Sequence, residues 1–263
     1  KTNYGISLKN INSMGKNSET YKSSPQTELL TAYIFNTSLP LIKNTKNILN
    51  TLEPRLSFRF SPHDMKGNKN LKRRVDMNNI YNFNRLSMGD SFEGGQSMTV
   101  GINYKKEKLN TKKKINQIEE YLDLRLATVF RLNEENDIPL NSTLNKKSSN
   151  IFGQLNYKPT NNFSLNYNFS LNNDLNTIEY NSLSTKFNFN NFSTRFEFLE
   201  ERGVIGETNI IENITKYNLD TKNSLIFKTR RNGNLGLTEY YDLIYEYKND
   251  CLIAGLEYKK NYY

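Results

Sequence analysis

The sequence predicts an all-β chain, an antiparallel transmembrane β-barrel segment (an incomplete barrel) of about twelve or thirteen strands. Three observations predict it. Hydrophobic residues make up only 36% of the 263 residues, little for a single contiguous core, yet the 15 Phe and 17 Tyr are more than a disordered chain would carry. Large residues recur at every second position, the spacing of a strand with unlike faces. No stretch approaches the ~18 consecutive apolar residues of a membrane helix. The richest, Leu29 to Phe35, is short and contains Thr31.

Taken in order, Leu52, Pro54, Leu56, Phe58 and Phe60 oppose Glu53, Arg55, Ser57 and Arg59, and Met98, Val100, Ile102 and Tyr104 oppose Thr99, Gly101, Asn103 and Lys105. Leu122, Leu124, Leu126, Phe130 and Leu132 stand against Asp123, Arg125 and Arg131, with Ala127 and Val129 making that second face less polar. The most regular run is Phe163, Leu165, Tyr167, Phe169 and Leu171 against Ser164, Asn166, Asn168 and Ser170. Leu235, Leu237, Tyr241, Leu243, Tyr245 and Tyr247 follow, then Leu252, Ala254, Leu256 and Tyr258.

Asn190-Asn191 reads as a two-residue hairpin turn, because Asn tolerates positive φ, and Pro159 to Asn162 as a turn that no ladder continues. Ser61 to Ser91, Lys105 to Gln117 and Asn133 to Ser148 read as longer links. From Ser149 onward short and long links roughly alternate, as brief periplasmic turns and longer extracellular loops do. Lys105 to Gln117 is longer than that rule predicts. Tyr157, Tyr217, Tyr258 and Tyr262-Tyr263 suit an interfacial aromatic belt, although strands favour Tyr in any setting.

The net charge is +9, from 36 basic and 27 acidic residues. The densest basic runs, Lys72 to Arg74 and Lys105 to Lys114, lie in predicted links with no recognition helix or stacking motif, so no nucleic-acid partner is expected. His63 is the sole histidine, in Ser61-Pro62-His63-Asp64, and nothing orients it toward a nucleophile. With one histidine and one distant cysteine there is no metal-ligand cluster. Gly15-Lys16 lacks the rest of a phosphate loop. No catalytic residue, metal or cofactor is expected, and the chain is not read as an enzyme.

Asn84-Arg85-Leu86-Ser87-Met88-Gly89-Asp90, followed by Glu93-Gly94-Gly95 and the strand Met98 to Tyr104, resembles the signature of the LPS-assembly proteins of the LptD type. Asp76 to Tyr81 resembles the family's approach to that motif, and Leu52-Glu53-Pro54-Arg55-Leu56 with Ser61-Pro62 the strand before it. Ser149-Asn150-Ile151-Phe152-Gly153, closed by Tyr157 and Pro159, is a second match. The third is Tyr245-Glu246-Tyr247-Lys248-Asn249-Asp250-Cys251 before a last strand. The matches run in family order over roughly residues 50 to 263. Met88 stands where the family has Gly, Ser91 where a basic residue often follows, and Leu252 where some members have a second cysteine.

The resemblance implies an outer-membrane protein that translocates lipopolysaccharide from the periplasm to the outer leaflet through a barrel lumen and a lateral opening. It implies a plug lipoprotein of the LptE type and a periplasmic bridge protein of the LptA type as partners. Residues 1–263 would be the C-terminal part of the barrel domain, with the first strands and the N-terminal periplasmic domain elsewhere. Cys251, the only cysteine, would bond to a cysteine outside this chain; the other reading is a free, buried thiol. Inward Arg55, Arg59, Arg125 and Arg195 are candidate lumen contacts for the anionic glycolipid, or else members of cross-strand ion pairs. A general porin or receptor-type barrel is the alternative; a barrel hydrolase and a soluble adhesin module are the other classes.

Overall fold

The computed structural model describes residues 1–17, 22–65, 68–110 and 117–262. Among them lie fourteen strands: β1 (Thr2–Ser13), β2 (Gln26–Ser38), β3 (Leu41–Thr45), β4 (Ile48–Ser61), β5 (Gly95–Asn110), β6 (Gln117–Arg131), β7 (Ile151–Thr160), β8 (Phe163–Leu171), β9 (Ile178–Phe189), β10 (Phe192–Glu201), β11 (Asn209–Asn218), β12 (Asn223–Asn232), β13 (Leu237–Lys248) and β14 (Ile253–Asn261). All belong to one antiparallel sheet in which each strand pairs with its neighbour in sequence, except that β3 lies beside β4 only, off the path. β1 and β14 each have one partner among the described residues, so the sheet is not closed.

The β2–β3 break falls at Leu39-Pro40, opposite Glu53-Pro54, where Ser38 pairs with Arg55 and Leu41 with Leu52. Prolines on both sides lack the N–H that a continuous ladder needs. The Asn190-Asn191 turn forms as predicted, with Asn190 at φ 47°. Pro159 differs from expectation. It lies within β7, at a register shift between Tyr157 and Thr160, which leaves only Asn161 and Asn162 as the turn. The link at Lys105 is also shorter than expected. Lys105, Lys106 and Lys108 pair within the β5–β6 ladder, Lys105 on the inner face and Lys106 and Lys108 on the outer face near the short-link end, where long side chains can keep the charge in water. The rest of that basic run, Lys112 to Lys114, lies outside the described residues, as does Tyr263.

Among the described links, those at one end of the sheet have two to four residues and those at the other four or more. Lys46-Asn47, Asn161-Asn162, Asn190-Asn191, 219–222 and 249–252 lie at one end; 62–94, 132–150, 172–177, 202–208 and 233–236 lie at the other. This is the asymmetry of an outer-membrane barrel, with short periplasmic turns.

Burial is inverted relative to a soluble sandwich. Apolar Phe58 (44%), Met98 (39%), Ile102 (40%) and Phe130 (42%) are exposed, while Ser57, Arg59, Ser97, Thr99 and Asp123 on the opposite face are buried. An exposed apolar band this long requires a lipid partner. Gly153 belongs to the outward face, and the Phe169 ring opposite it folds over the space that a side chain would fill.

What buries the inner face is the chain itself. Segments 62–94 and 132–150 leave the long-loop end and pack against the wall. Met65, Val75, Met77, Ile80, Leu86 and Met88 of the first and Ile138 and Leu144 of the second form a core with Ala127, Val129 and Phe152 of the strands. A second cluster joins Phe92 to Leu30 and Ala32 of β2, with Ile11 and Phe83 against it.

Candidate functional site

The inner face has two unlike halves. Behind segment 62–94 it carries a buried charge cluster. Arg85 donates from Nε to Glu93 Oε2 (2.6 Å) and from Nη2 to Glu93 Oε1 (2.5 Å), a fork-on-fork pair. Its remaining donors reach Thr99 Oγ1 (3.1 Å) and Ser97 Oγ (2.9 Å) on β5. Arg131, at the end of β6, donates to Glu93 Oε1 (2.5 Å) and to the Gly94 carbonyl. Arg59 of β4 donates to the Glu93 carbonyl (2.5 Å) and the Phe83 carbonyl (3.1 Å). The Arg85, Glu93 and Arg131 side chains are 1–2% exposed. Burial alone pushes the Glu93 carboxyl up, but the three surrounding guanidiniums more than offset it and hold it at about 2. It is a carboxylate at any physiological pH.

The motif residues that carried the resemblance thus have structural work. Met88, one of the departures, lies in the core and accepts at its carbonyl from Lys9 (3.1 Å) and from Asn84 Nδ2 (2.8 Å). Ser91, another, is buried and accepts at its carbonyl from Lys9 (2.9 Å). Asn150 of the second match donates to Ser170 Oγ (3.0 Å) and Glu179 Oε2 (2.7 Å), tying the start of β7 to β8 and β9.

The four candidate arginines are not brought together. Arg59 is buried in the cluster, and Arg55 lies over the Tyr81 ring at 4.1 Å. Arg125 makes a two-pronged pair with Asp123 (3.0 and 2.6 Å). Arg195, half exposed, pairs with Glu197 (3.0 Å). Arg85, Glu93 and Arg131 were not among the predicted site residues. The available signal was a basic and an acidic residue eight positions apart within one distinctive motif, a charge pair that a mere surface link has no need of.

From β11 to β13 the inner wall is a ladder of paired charges, half-exposed except for the buried Asp242: Lys216 to Glu246 (3.0 Å), Lys228 to Asp242 (3.4 Å) and Arg230 to Glu239 (2.9 Å), with the Tyr240 hydroxyl donating to Glu212 (2.9 Å). Such a wall stays wet and carries no net excess of either sign along these pairs. His63 meets Thr31 Oγ1 (3.1 Å) at the start of segment 62–94. Cys251 is exposed in the turn between β13 and β14, at the short-link end, where Asn249 Oδ1 accepts from its N–H (3.0 Å). Burial therefore does not protect the thiol.

A family model described as LptD, LPS transport system D, matches residues 1–214. None of the curated proteins matches the chain.

Proposed function

Because the chain belongs to the LPS transport system D family, we propose that its strands are wall of the outer-membrane barrel through which lipopolysaccharide passes from the periplasm to the outer leaflet. The saccharide crosses the hydrated lumen, and the acyl chains leave by a lateral opening. The inverted burial carries this reading: an exposed apolar outer face and a charged inner face suit a conduit for an amphipathic lipid. No bond is made or broken, and the work is done by partition and shape. Arg195 and Arg125 keep guanidinium surface at the lumen side and are the candidates that a phosphate or carboxylate of the glycolipid can reach. Arg59 and Arg55 serve segment 62–94 instead.

The partners in this reading are a plug lipoprotein of the LptE type in the open part of the lumen and a bridge protein of the LptA type at the periplasmic side. Photo-crosslinking from lumen positions in the full-length protein tests the substrate. Lipopolysaccharide adducts at Arg195 are expected, and their consistent absence in a working protein excludes the reading.

Cys251 stands at the short-link, periplasmic end and is exposed, which supports a disulfide to a cysteine outside this chain. On a nonreducing gel the full-length protein is expected to show a mobility shift that reductant and Cys251→Ser both abolish. A pattern identical in the variant leaves the thiol free.

A further inference from the structure

The β2–β4 ladder stops early. It pairs Tyr33–Ser38 with Arg55–Phe60, whereas the β1–β2 ladder runs on to Ser13 and Gln26. The cause is local. Pro62 follows Ser61 with no N–H to offer, and the chain turns from the wall into the lumen there. At this long-link end β2 runs on past the end of β4, and the strand edge it leaves has to be covered by other groups, because an open edge is costly wherever water does not reach it.

Residues Phe83 to Glu93 cross this seam on the inside. Toward β1 and β2, Lys9 donates to the Met88 (3.1 Å) and Ser91 (2.9 Å) carbonyls and holds its Nζ 4.3 Å from the centre of the Phe92 ring. Phe92 is itself buried against Leu30 and Ala32. Toward β4, Arg59 grips the Phe83 and Glu93 carbonyls, and the Arg85–Glu93–Arg131 cluster fixes that end to β5 and β6. Two lighter contacts span the seam directly: Ser61 Oγ to the Thr31 carbonyl (3.0 Å), and Thr31 Oγ1 to His63 Nε2 (3.1 Å).

We propose that Phe83–Glu93 is an internal strap that holds the barrel wall shut where β2 runs on past the end of β4. Closure at this seam is set by side-chain contacts, so it is reversible in a way that a backbone ladder is not. The two ends of the strap differ. The β4–β6 end is locked by buried ion pairs, while the β1–β2 end rests on Lys9, with Asp90 beside it, and on the packing of the Phe83 and Phe92 rings. The β1–β2 hairpin is therefore the side that moves when the strap lets go. This holds for any cargo of the barrel.

The test uses the full-length protein in the outer membrane with Thr31→Cys and His63→Cys introduced together. Oxidation is expected to link the pair efficiently in the otherwise unaltered protein, with the bond located by peptide mass to separate it from bonds to Cys251. Adding Phe92→Ala or Lys9→Met should lower the linkage severalfold and admit a large hydrophilic antibiotic that the membrane normally excludes. Linking the pair first should restore exclusion. Heat-modifiable gel mobility establishes that each variant is folded, and Lys9→Gln serves where Phe92→Ala does not assemble. Unchanged linkage and exclusion in folded variants, or leakage that the linked pair does not reverse, overturns the strap.

Discussion

Replacement of Glu93 by Gln is expected to destabilise the barrel by about 3–5 kcal/mol, the usual cost of removing one partner from a buried ion pair. The side chain is the acceptor that Arg85 and Arg131 share, with Arg59 bound to the same residue through its carbonyl. The amide is of similar size but leaves buried guanidiniums facing one another without the charge that offsets them. In detergent, the temperature at which the compact form gives way to the unfolded band should fall clearly. An unchanged transition would show that water or neighbouring carboxylates compensate. The same group sets an acid response. Its folded-state value, about 2, lies below the ordinary 4.5. The stabilisation is therefore complete above about pH 4.5 and lost as pH falls toward 2, a slope that Glu93→Gln should lack.

Gly101→Val is expected to be the next most damaging change. Gly101 lies on the inner face of β5, opposite Arg55 and Ala127. A Cβ there would collide with the Tyr81 hydroxyl and approach the Leu126 carbonyl at 2.7 Å and the Ala127 Cβ at 2.9 Å. Two of these neighbours belong to the wall and cannot yield. Tyr81 would have to leave, together with the Arg55 guanidinium stacked on it. Burial pushes the Tyr81 phenol up to about 12, so the group that occupies this space is neutral. Overpacking of this kind costs about 1–3 kcal/mol or more. Thermal unfolding of the variant beside Gly101→Ala should give losses graded by size, and equal stability of all three proteins would show that the wall and Tyr81 accommodate a side chain at this position.

How legible was this in the chain? The strands were, because a wall between lipid and water writes the same two-residue period along each one. Phe163 to Leu171 shows this without interruption, and the outward face of β4 was readable from Leu52 to Phe60. Segments 62–94 and 132–150 were read only as links. Their core residues, Met65, Val75, Met77, Ile80, Leu86 and Met88, follow no period, since irregular backbone buries whichever side chain the wall happens to meet. For the same reason Arg59 looked like a lumen residue. Its alternation was correct, but the face it occupies is covered by a segment more than twenty positions further along, through Phe83 and Glu93. The charge pairs of β11 to β13 fell between these cases: inward placement followed from period two, while the partners depended on a register that only the folded sheet supplies.

In the proposed function lipopolysaccharide travels along the open inner wall of the barrel. The most direct measurement is photo-crosslinking at Arg125, Asn166 and Arg195, with Ala127, buried beneath segment 62–94, as the internal comparison. Lipopolysaccharide adducts are expected at the three open positions, none at Ala127, with loss of the adducts when fresh lipopolysaccharide stops arriving from the periplasm. No adduct at any open position in a protein that still supports growth, or adducts unaffected by that supply, would exclude passage along this wall.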